Sequence, residues 1–257
     1  MATDEKDVIE NDERNGKRHF RVLIWLLSFL AIMAFASCTR DNAPVQAPQD
    51  NTWTNQEDTE TRQNDLSFFV TSESIWNGWD LWGLKWADMQ CSKLAESVNA
   101  SSRTWRAYLS TQGTGAENAR DRIWNWPWVN AKWVVIANNV AELHSDTSNL
   151  NKQTALTEKG EIVNWRGDTP NMHDILTGSQ PDWTAFAISE DRTCSNWTSS
   201  SSGSAMVWHS DRIGTNESAE AKSWNSSHLS RWPDGGCSQN DLKSTWGNWL
   251  LYCFSAE

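Results

Sequence analysis

Tryptophan stands in this chain where the glycines of tight turns are expected. The sequence has 19 Trp and 13 Gly in 257 residues, although soluble proteins use Gly at roughly 7%. Tight turns need glycine because a residue without a Cβ adopts positive φ angles at little cost. Two segments, 75–88 and 245–251, place Trp among Gly, Asn and Asp, which are the residues of turns. Either these loops are built with tryptophan, or some of the tryptophans stand for glycines.

We hypothesise that the second reading holds and that the organism translates the UGA codon as glycine. The alternative takes each Trp literally, as a large amphipathic surface on which sugars or bases stack. Taken literally, these side chains would meet turns that require positive φ and would crowd the loops over the core. We call the twelve residues concerned the turn-context tryptophans: Trp76, Trp79, Trp82, Trp86, Trp124, Trp126, Trp133, Trp165, Trp183, Trp232, Trp246 and Trp249.

The first 38 residues have the pattern of an export signal. Three basic residues precede an apolar run at 22–36, which ends in small residues before Cys38. The run is shorter than the about 20 residues of a membrane-spanning helix. We therefore predict a lipoprotein-type signal at 1–38 with Cys38 as the lipid anchor, so that the protein is exported and meets the membrane only there. An uncleaved anchor helix is the alternative.

Composition divides the remainder in two. Residues 39–65 are rich in Asn, Asp, Gln, Glu and Thr with almost no aliphatic side chain, which predicts a disordered tether. Residues 66–257 are enough for one domain with its own core. The formal charge of −11 and pI near 4.9 offer no basic face for phosphates, so no nucleic-acid partner is expected.

Residue patterns within 66–257 predict an α+β domain with short strands, two helices and long loops. An aromatic and β-branched run predicts a strand at 66–71. Apolar residues on one face predict a helix at 87–98, and a shorter helix is predicted at 116–123. The segment 145–182 is expected to be mostly loop. Further strands are predicted at 105–110, 194–198, 205–208 and 250–254.

Four cysteines besides Cys38 predict two disulfides, because an even number in an exported chain usually forms a disulfide framework. They are Cys91, Cys194, Cys237 and Cys253, and three pairings are open to them. None has C-x-x-C spacing, so neither a zinc ribbon nor a thioredoxin-like site is indicated.

Several motifs resemble the C-type-lectin-like fold, in the version shared by endostatin and by secreted bacterial lectin-like lipoproteins. GLKWADMQC at 83–91 and WRAYLS at 105–110 are similar to endostatin's G-I-R-G-A-D-x-Q-C and F-R-A-F-L-S, with glycine in the family at Trp86. VWHSD at 207–211 is similar to its V-W-H-G-S-D, and 194–199 and 250–253 resemble the bacterial relatives. Over 68–254 the resemblance implies an endostatin-like fold with nested disulfides, Cys91 with Cys253 and Cys194 with Cys237.

What this resemblance implies is binding, commonly of carbohydrate, sometimes of protein, and rarely catalysis. Sugar-binding members hold calcium with a Glu-Pro-Asn or Gln-Pro-Asp loop and a Trp-Asn-Asp strand. Here Gln180-Pro181-Asp182 and Trp224-Asn225-Ser226 match in part, and Ser226 removes a carboxylate ligand. Calcium is thus the one candidate cofactor, and otherwise none is expected. The candidate ligand-binding residues are Gln180, Asp182, Trp197, Trp224 and Asn225, with the two tryptophans as exposed platforms for a sugar.

Metal and catalytic chemistry are otherwise weakly indicated. The zinc site of endostatin uses His at the start of its domain and does not carry over, because no His stands near Leu66. His173-Asp174 and His209-Ser210-Asp211 could hold a metal or relay protons, but loop hydrogen bonding is the expectation, so no metal is predicted. No G-x-S-x-G elbow is present and the core cysteines are assigned to disulfides, so we expect no enzyme.

The sequence therefore predicts a surface-tethered binding domain of the lectin-like kind, with an extracellular glycan or a surface protein as its partner. Carbohydrate binding is the first hypothesis. A protein-binding adhesin or a structural envelope protein on the same fold is the alternative.

Overall fold

The computed structural model describes residues 65–74, 82–189, 191–213, 218, 223–231 and 235–257. The predicted signal with Cys38 and the predicted tether up to residue 64 lie outside the described residues. So do three of the turn-context tryptophans, Trp76, Trp79 and Trp232.

The described chain mixes short strands with helices, as the residue patterns predict. One helix is long: α1 (Leu84–Ser97), which buries the apolar face that predicts it. The segment predicted as a short helix at 116–123 contains the helix Ala119–Arg122, and the strand predicted at 66–71 contains the strand Phe68–Val70. The remaining elements are β1 (Phe68–Val70), β2 (Trp105–Ala107), α2 (Ala119–Arg122), β3 (Trp128–Val129), β4 (Val135–Ala137), α3 (Val140–Leu143), β5 (Asp174–Leu176), β6 (Met206–His209), β7 (His228–Leu229), α4 (Gln239–Ser244) and β8 (Gly247–Ser255).

Strand β8 organises the main sheet. β1 and β2 pair antiparallel with the same C-terminal residues of β8, on its opposite edges, and β5 runs parallel to residues nearer its N-terminal end. β6 and β7 continue the sheet beyond β5, both antiparallel. The order is β1-β8-β5-β6-β7, with β2 also on β8, and β3 and β4 form a separate two-stranded sheet.

Two cores cover the two faces of β8, because successive side chains of a strand point to opposite faces. Leu251 and Cys253 face the core that contains the apolar side of α1. Leu250, Tyr252 and Phe254 face a second core rich in aromatic rings. All five residues of 250–254 are apolar because this strand is buried on both faces.

Two nested disulfides join distant parts of this domain. Cys91 of α1 is bonded to Cys253 of β8, and Cys194 is bonded to Cys237. This is the pairing that the resemblance implies, and of the three pairings open to the residues alone it is the one present. Two disulfides indicate maturation in an oxidising compartment. Over the described residues, no helix combines the length and the apolar character needed to cross a membrane.

Two local predictions are wrong. Residues 194–198 do not form a strand: Cys194–Trp197 is a single helical turn with positive φ throughout, which we call the left-handed turn. Its Cys is fixed by a disulfide and its Ser and Asn accept and donate local hydrogen bonds, which favour turns over ladders. The prediction of two helices is also wrong, because the described residues contain α3 and α4 besides α1 and α2, and helices of four and six residues are too short to show an apolar period. The segment 145–182 is mostly loop, as predicted, with the three-residue strand β5 within it.

Four of the nine described turn-context tryptophans have positive φ. The angles are 58° at Trp133, 72° at Trp183, 72° at Trp246 and 54° at Trp249. Trp249 is also fully buried, and its indole Nε1–H has no hydrogen-bond partner. A literal tryptophan is thus strained at these positions, which is the consequence expected of the literal reading. Recoding to glycine remains our hypothesis.

His144 is a buried, neutral histidine in the aromatic core. Its Nε2 lies 2.7 Å from the Tyr108 hydroxyl and its Nδ1 lies 2.6 Å from the Val140 carbonyl. The carbonyl requires a proton on Nδ1, so Nε2 accepts from Tyr108 in the neutral tautomer. Burial disfavours the charged form and lowers the pKa of His144 to about 4.

This histidine is expected to make the domain less stable in mild acid. The unfolded chain protonates His144 near pH 6.5, whereas the folded chain does so near pH 4. Between these two pH values the unfolded state binds more protons than the folded state. Lowering the pH from 6.5 to 4 should therefore decrease the free energy of unfolding by at most about 3 kcal/mol. Urea unfolding at pH 7, 5.5 and 4 checks this against His144→Gln, in which the decrease should be smaller. Parallel decreases in the two proteins would contradict the assignment.

Candidate functional site

Both predicted tryptophan platforms lie in the core. Trp197 is fully buried, and its indole Nε1–H donates to the Ser110 carbonyl at 2.8 Å. Trp224 is also buried, with its ring 5.1 Å from Tyr108 and 5.4 Å from Trp208. The prediction that these two tryptophans are exposed is wrong. Each follows Asn or Ser in a polar segment, which looks like surface in sequence although the indole points inward.

The other three candidate residues, Gln180, Asp182 and Asn225, do come together. The Asn225 side-chain amide donates to the Gln180 carbonyl at 2.7 Å across 45 residues of sequence. The Gln180 amide donates to the Thr184 hydroxyl and to the Ala185 carbonyl. Asp182 is exposed, and hydrogen bonds from Thr184 hold its pKa below the usual value. Gln180 and Asn225 thus shape a loop at 180–187, and Asp182 presents its carboxylate to solvent.

This loop offers a poor set of ligands for calcium. Ca²⁺ takes six to eight oxygen ligands, usually with several carboxylates. Asp182 is the one carboxylate of the 180–187 loop. Among the described residues, the group of His, Asp, Glu and Cys side chains close enough to share an ion is His173, Asp174 and His209, which does not include it. The loop at 180–187 therefore lacks the set of ligands that calcium requires.

A small polar groove continues from the same loop. Its volume is about 180 Å³, below the range of roughly 300–1,000 Å³ typical of clefts for drug-sized ligands. Five of its six lining residues carry an amide, a carboxylate or a hydroxyl group, and the sixth is aliphatic. We call it the polar groove; its residues are Gln112, Ile188, Asp191, Thr193, Ser195 and Asn196.

The left-handed turn forms one wall of the polar groove. Its φ angles are 47° at Cys194, 54° at Ser195, 56° at Asn196 and 65° at Trp197. A left-handed residue other than glycine costs roughly 1–2 kcal/mol. Such strain persists only where surrounding structure enforces it, and it concentrates at binding and active sites.

Side chains and a disulfide enforce this turn. The Ser195 N–H donates to the Asp191 carboxylate at 3.0 Å, and the Asn196 N–H donates to the Thr193 hydroxyl at 3.0 Å. The Asn196 side chain accepts from the Gln112 N–H at 2.7 Å and donates to the Gln112 carbonyl at 3.0 Å. Together with the disulfide of Cys194, these bonds hold the wall rigid before any ligand arrives.

Sequence reasoning did not identify the groove. Gln112 and Asn196 are separated by 84 residues, and no local pattern links them. The one available signal was the Thr-Cys-Ser-Asn run at 193–196, because these residues favour turns and local side-chain hydrogen bonds.

The two histidine motifs noted in the sequence also meet. The Nδ1–H of His173 donates to the Asp211 carboxylate at 3.0 Å, and Asp174 lies opposite His209 in the β5–β6 register. Burial alone would raise the pKa of Asp211. Hydrogen bonds from His173 and from the backbone N–H of Arg166 outweigh it and keep the pKa below the usual value. Asp211 is therefore a charged, buried partner of His173.

Comparison with known proteins gives no match, either to a protein-family model or to a curated protein.

Proposed function

We propose that residues 66–257 form an exported C-type-lectin-like domain that binds a glycan in the polar groove, without catalysis and without calcium. Three features support the fold: the α+β architecture, the nested disulfides and the positions of the resembling motifs on α1, β2, β6 and β8. Cys38, as the lipid-modified residue, would tether the domain to the cell surface.

The rigid, polar wall of the groove is the observation that carries this proposal. Sugars present many hydroxyl groups, which pair with carboxylates and hydroxyls such as those of Asp191 and Ser195. Because the left-handed turn is already fixed, binding would lose little conformational entropy there. Ile188, which is 77% exposed, supplies an apolar edge for the carbon face of a sugar ring.

A protein ligand is the second candidate, favoured by exposed apolar side chains around the β3–β4 hairpin. Trp124, Trp126, Trp133, Val134 and Val135 are each more than a third exposed. Exposed apolar surface of this kind marks protein-binding sites. However, its three aromatic members are turn-context tryptophans, so glycine at those positions would remove most of the apolar area.

Truncation of Ile188 is the sharpest test of the polar groove. A glycan array on the full chain identifies a ligand, and titration calorimetry then measures its affinity. Ile188→Ala should weaken binding about three- to tenfold, which corresponds to roughly 1 kcal/mol of lost apolar contact. Ile162→Ala is the matched control, because Ile162 is also an exposed isoleucine but lies outside the groove.

The outcomes separate the candidates. Equal weakening by both isoleucine variants would place the ligand elsewhere. Binding that disappears with EDTA and returns with Ca²⁺ but not with Zn²⁺ would place a calcium-dependent ligand at the loop 180–187. A chain that binds no glycan on the array would contradict the proposed function and leave the protein-binding candidate.

A further inference from the structure

Four polar side chains converge at one end of the main sheet. His173 immediately precedes β5, Asp174 begins β5, His209 ends β6 and His228 lies on β7. Asp174 pairs with His209, and His228 pairs with Val207, two residues from His209 on the same strand. Because alternate residues of a strand share a face, Asp174, His209 and His228 are on the same face of the sheet. We call these three residues and His173 the His-Asp cluster.

The tautomers of two histidines direct lone pairs into this cluster. The Nδ1–H of His173 donates to Asp211, and the Nδ1–H of His228 donates to the Leu229 carbonyl at 2.9 Å. In each neutral ring Nε2 is then the unprotonated nitrogen. A histidine that donates Nδ1–H to a carboxylate or a carbonyl has the arrangement found at metal sites, where the partner fixes the ring and raises its basicity.

The cluster contains buried acceptors that the protein leaves unpaired. His173 and Asp174 are each 1% exposed, and His173 Nε2 and both carboxylate oxygens of Asp174 have no hydrogen-bond partner. Leaving a buried polar group unpaired is costly, and an unpaired charge more so. Facing lone pairs on a nitrogen and a carboxylate are what a bound cation would satisfy.

The spacing of the atoms fits one tetrahedral ion. Asp174 Oδ1 lies 3.4 Å from His173 Nε2 and 3.5 Å from His209 Nε2. His228 Nε2 lies 3.5 Å from Asp174 Oδ2 and 3.1 Å from His209 Nε2. A tetrahedron with metal–ligand bonds of about 2.0–2.1 Å has edges of about 3.3 Å. The two separations from Asp174 Oδ1 match the edges of such a tetrahedron and exceed good hydrogen bonds. His228 faces the other carboxylate oxygen and lies outside the group formed by His173, Asp174 and His209.

We propose that the His-Asp cluster binds a zinc ion through His173, Asp174 and His209, with Asp211 orienting His173. A tetrahedral ion with three protein ligands keeps a fourth position for water, with the His228 ring lying beside His209. The ion would join β5 and β6 at one end of the sheet. The His228 side chain is 25% exposed, so the ion has a route from solvent.

Zinc titration of the full chain after EDTA treatment and dialysis tests this. We expect one Zn²⁺ per chain, and a melting temperature about 5–10 °C higher at a free zinc concentration of 100 times Kd. Co²⁺ in place of Zn²⁺ should give the intense visible absorption of a tetrahedral site. His173→Gln and His209→Gln should each weaken zinc binding at least about tenfold, judged by the 10- to 100-fold losses known for metal-site partners.

His144→Gln is the matched control, because His144 is a buried, hydrogen-bonded histidine outside the cluster. Its zinc affinity should equal that of the parent chain. The Co²⁺ spectrum is recorded on the parent chain, so it decides the question even if a cluster variant folds poorly. The absence of stoichiometric binding, an octahedral Co²⁺ spectrum, or undiminished affinity in a His173→Gln/His209→Gln double variant would overturn the proposal.

Discussion

Glycine at Trp133 and Trp246 together should give a melting temperature about 4–8 °C higher than alanine at the same two positions. Both residues have positive φ, 58° and 72°, where a Cβ costs roughly 1 kcal/mol or more per residue. In a domain of this size 1 kcal/mol changes the melting temperature by about 2–4 °C. Comparison with alanine removes the indole in both variants and isolates the Cβ. Thermal unfolding followed by circular dichroism is the measurement.

Trp126 provides the matched control. It is 47% exposed, close to the 48% of Trp133 and the 42% of Trp246, but its φ is not positive. Trp126→Gly should be less stable than Trp126→Ala by about 0.5–1 kcal/mol, because glycine loses more conformational entropy on folding. If alanine were as good as glycine at Trp133 and Trp246, these turns would not require glycine.

The same result bears on the recoding hypothesis. Residues that need positive φ are where a genome would encode glycine, and four described turn-context tryptophans have such angles. Peptide mapping of the protein isolated from its native cell decides the identity at all twelve positions. Trp249 is unsuitable for the stability test, because it fills the core of the literal chain and its removal would leave a cavity.

The long elements of this fold are visible in sequence because they bury regular faces. The helical spacing of Cys91, Leu94 and Ala95 predicts α1. The apolar run at 250–254, with alternate residues on opposite faces, predicts the end of β8. Strands of two or three residues, such as β3 and β5, are too short to show a period. Their pairing depends on partners far along the chain.

The sites are less visible for a related reason. The left-handed turn takes its shape from Cys237 and Gln112, which lie about forty and eighty residues away. The His-Asp cluster requires the β5–β6 register, which sets Asp174 opposite His209. Local patterns therefore identified His173 and His209 as residues able to bind a metal or relay protons, but they could not show that the two lie side by side.

Asp88 shows how one residue of a family-like motif joins three elements. It lies in α1 and is 8% exposed. Its carboxylate accepts from Arg122 of α2 at 2.7 and 2.9 Å, and from the Ala107 N–H of β2 at 2.9 Å. It also accepts from Arg106 at 2.8 Å. One side chain thus fixes the position of α1 against both β2 and α2.

Asp88→Asn should lower the free energy of unfolding by about 2–4 kcal/mol. The shape is nearly kept, but Arg122, whose side chain is 6% exposed, loses its buried counter-charge. It retains the exposed Glu117 carboxylate at 3.4 Å and the Ala107 carbonyl at 2.7 Å. Breaking a buried ion pair by removing one partner typically costs about 3–5 kcal/mol, and the remaining contacts reduce this. Urea unfolding at pH 7 is the measurement.

Asp121→Asn is the control, because Asp121 pairs with Arg120 at 3.5 Å with its side chain 62% exposed. Its loss should be no more than about 1 kcal/mol. If the loss comes from the unpaired charge of Arg122, removing that charge should restore stability. Arg122→Met in the Asp88→Asn background should therefore recover part of the stability, since an apolar side chain of similar size is better tolerated than an unpaired buried ion. If the second substitution added to the loss instead, Asp88 would act through its hydrogen bond to Ala107 rather than by balancing the charge of Arg122.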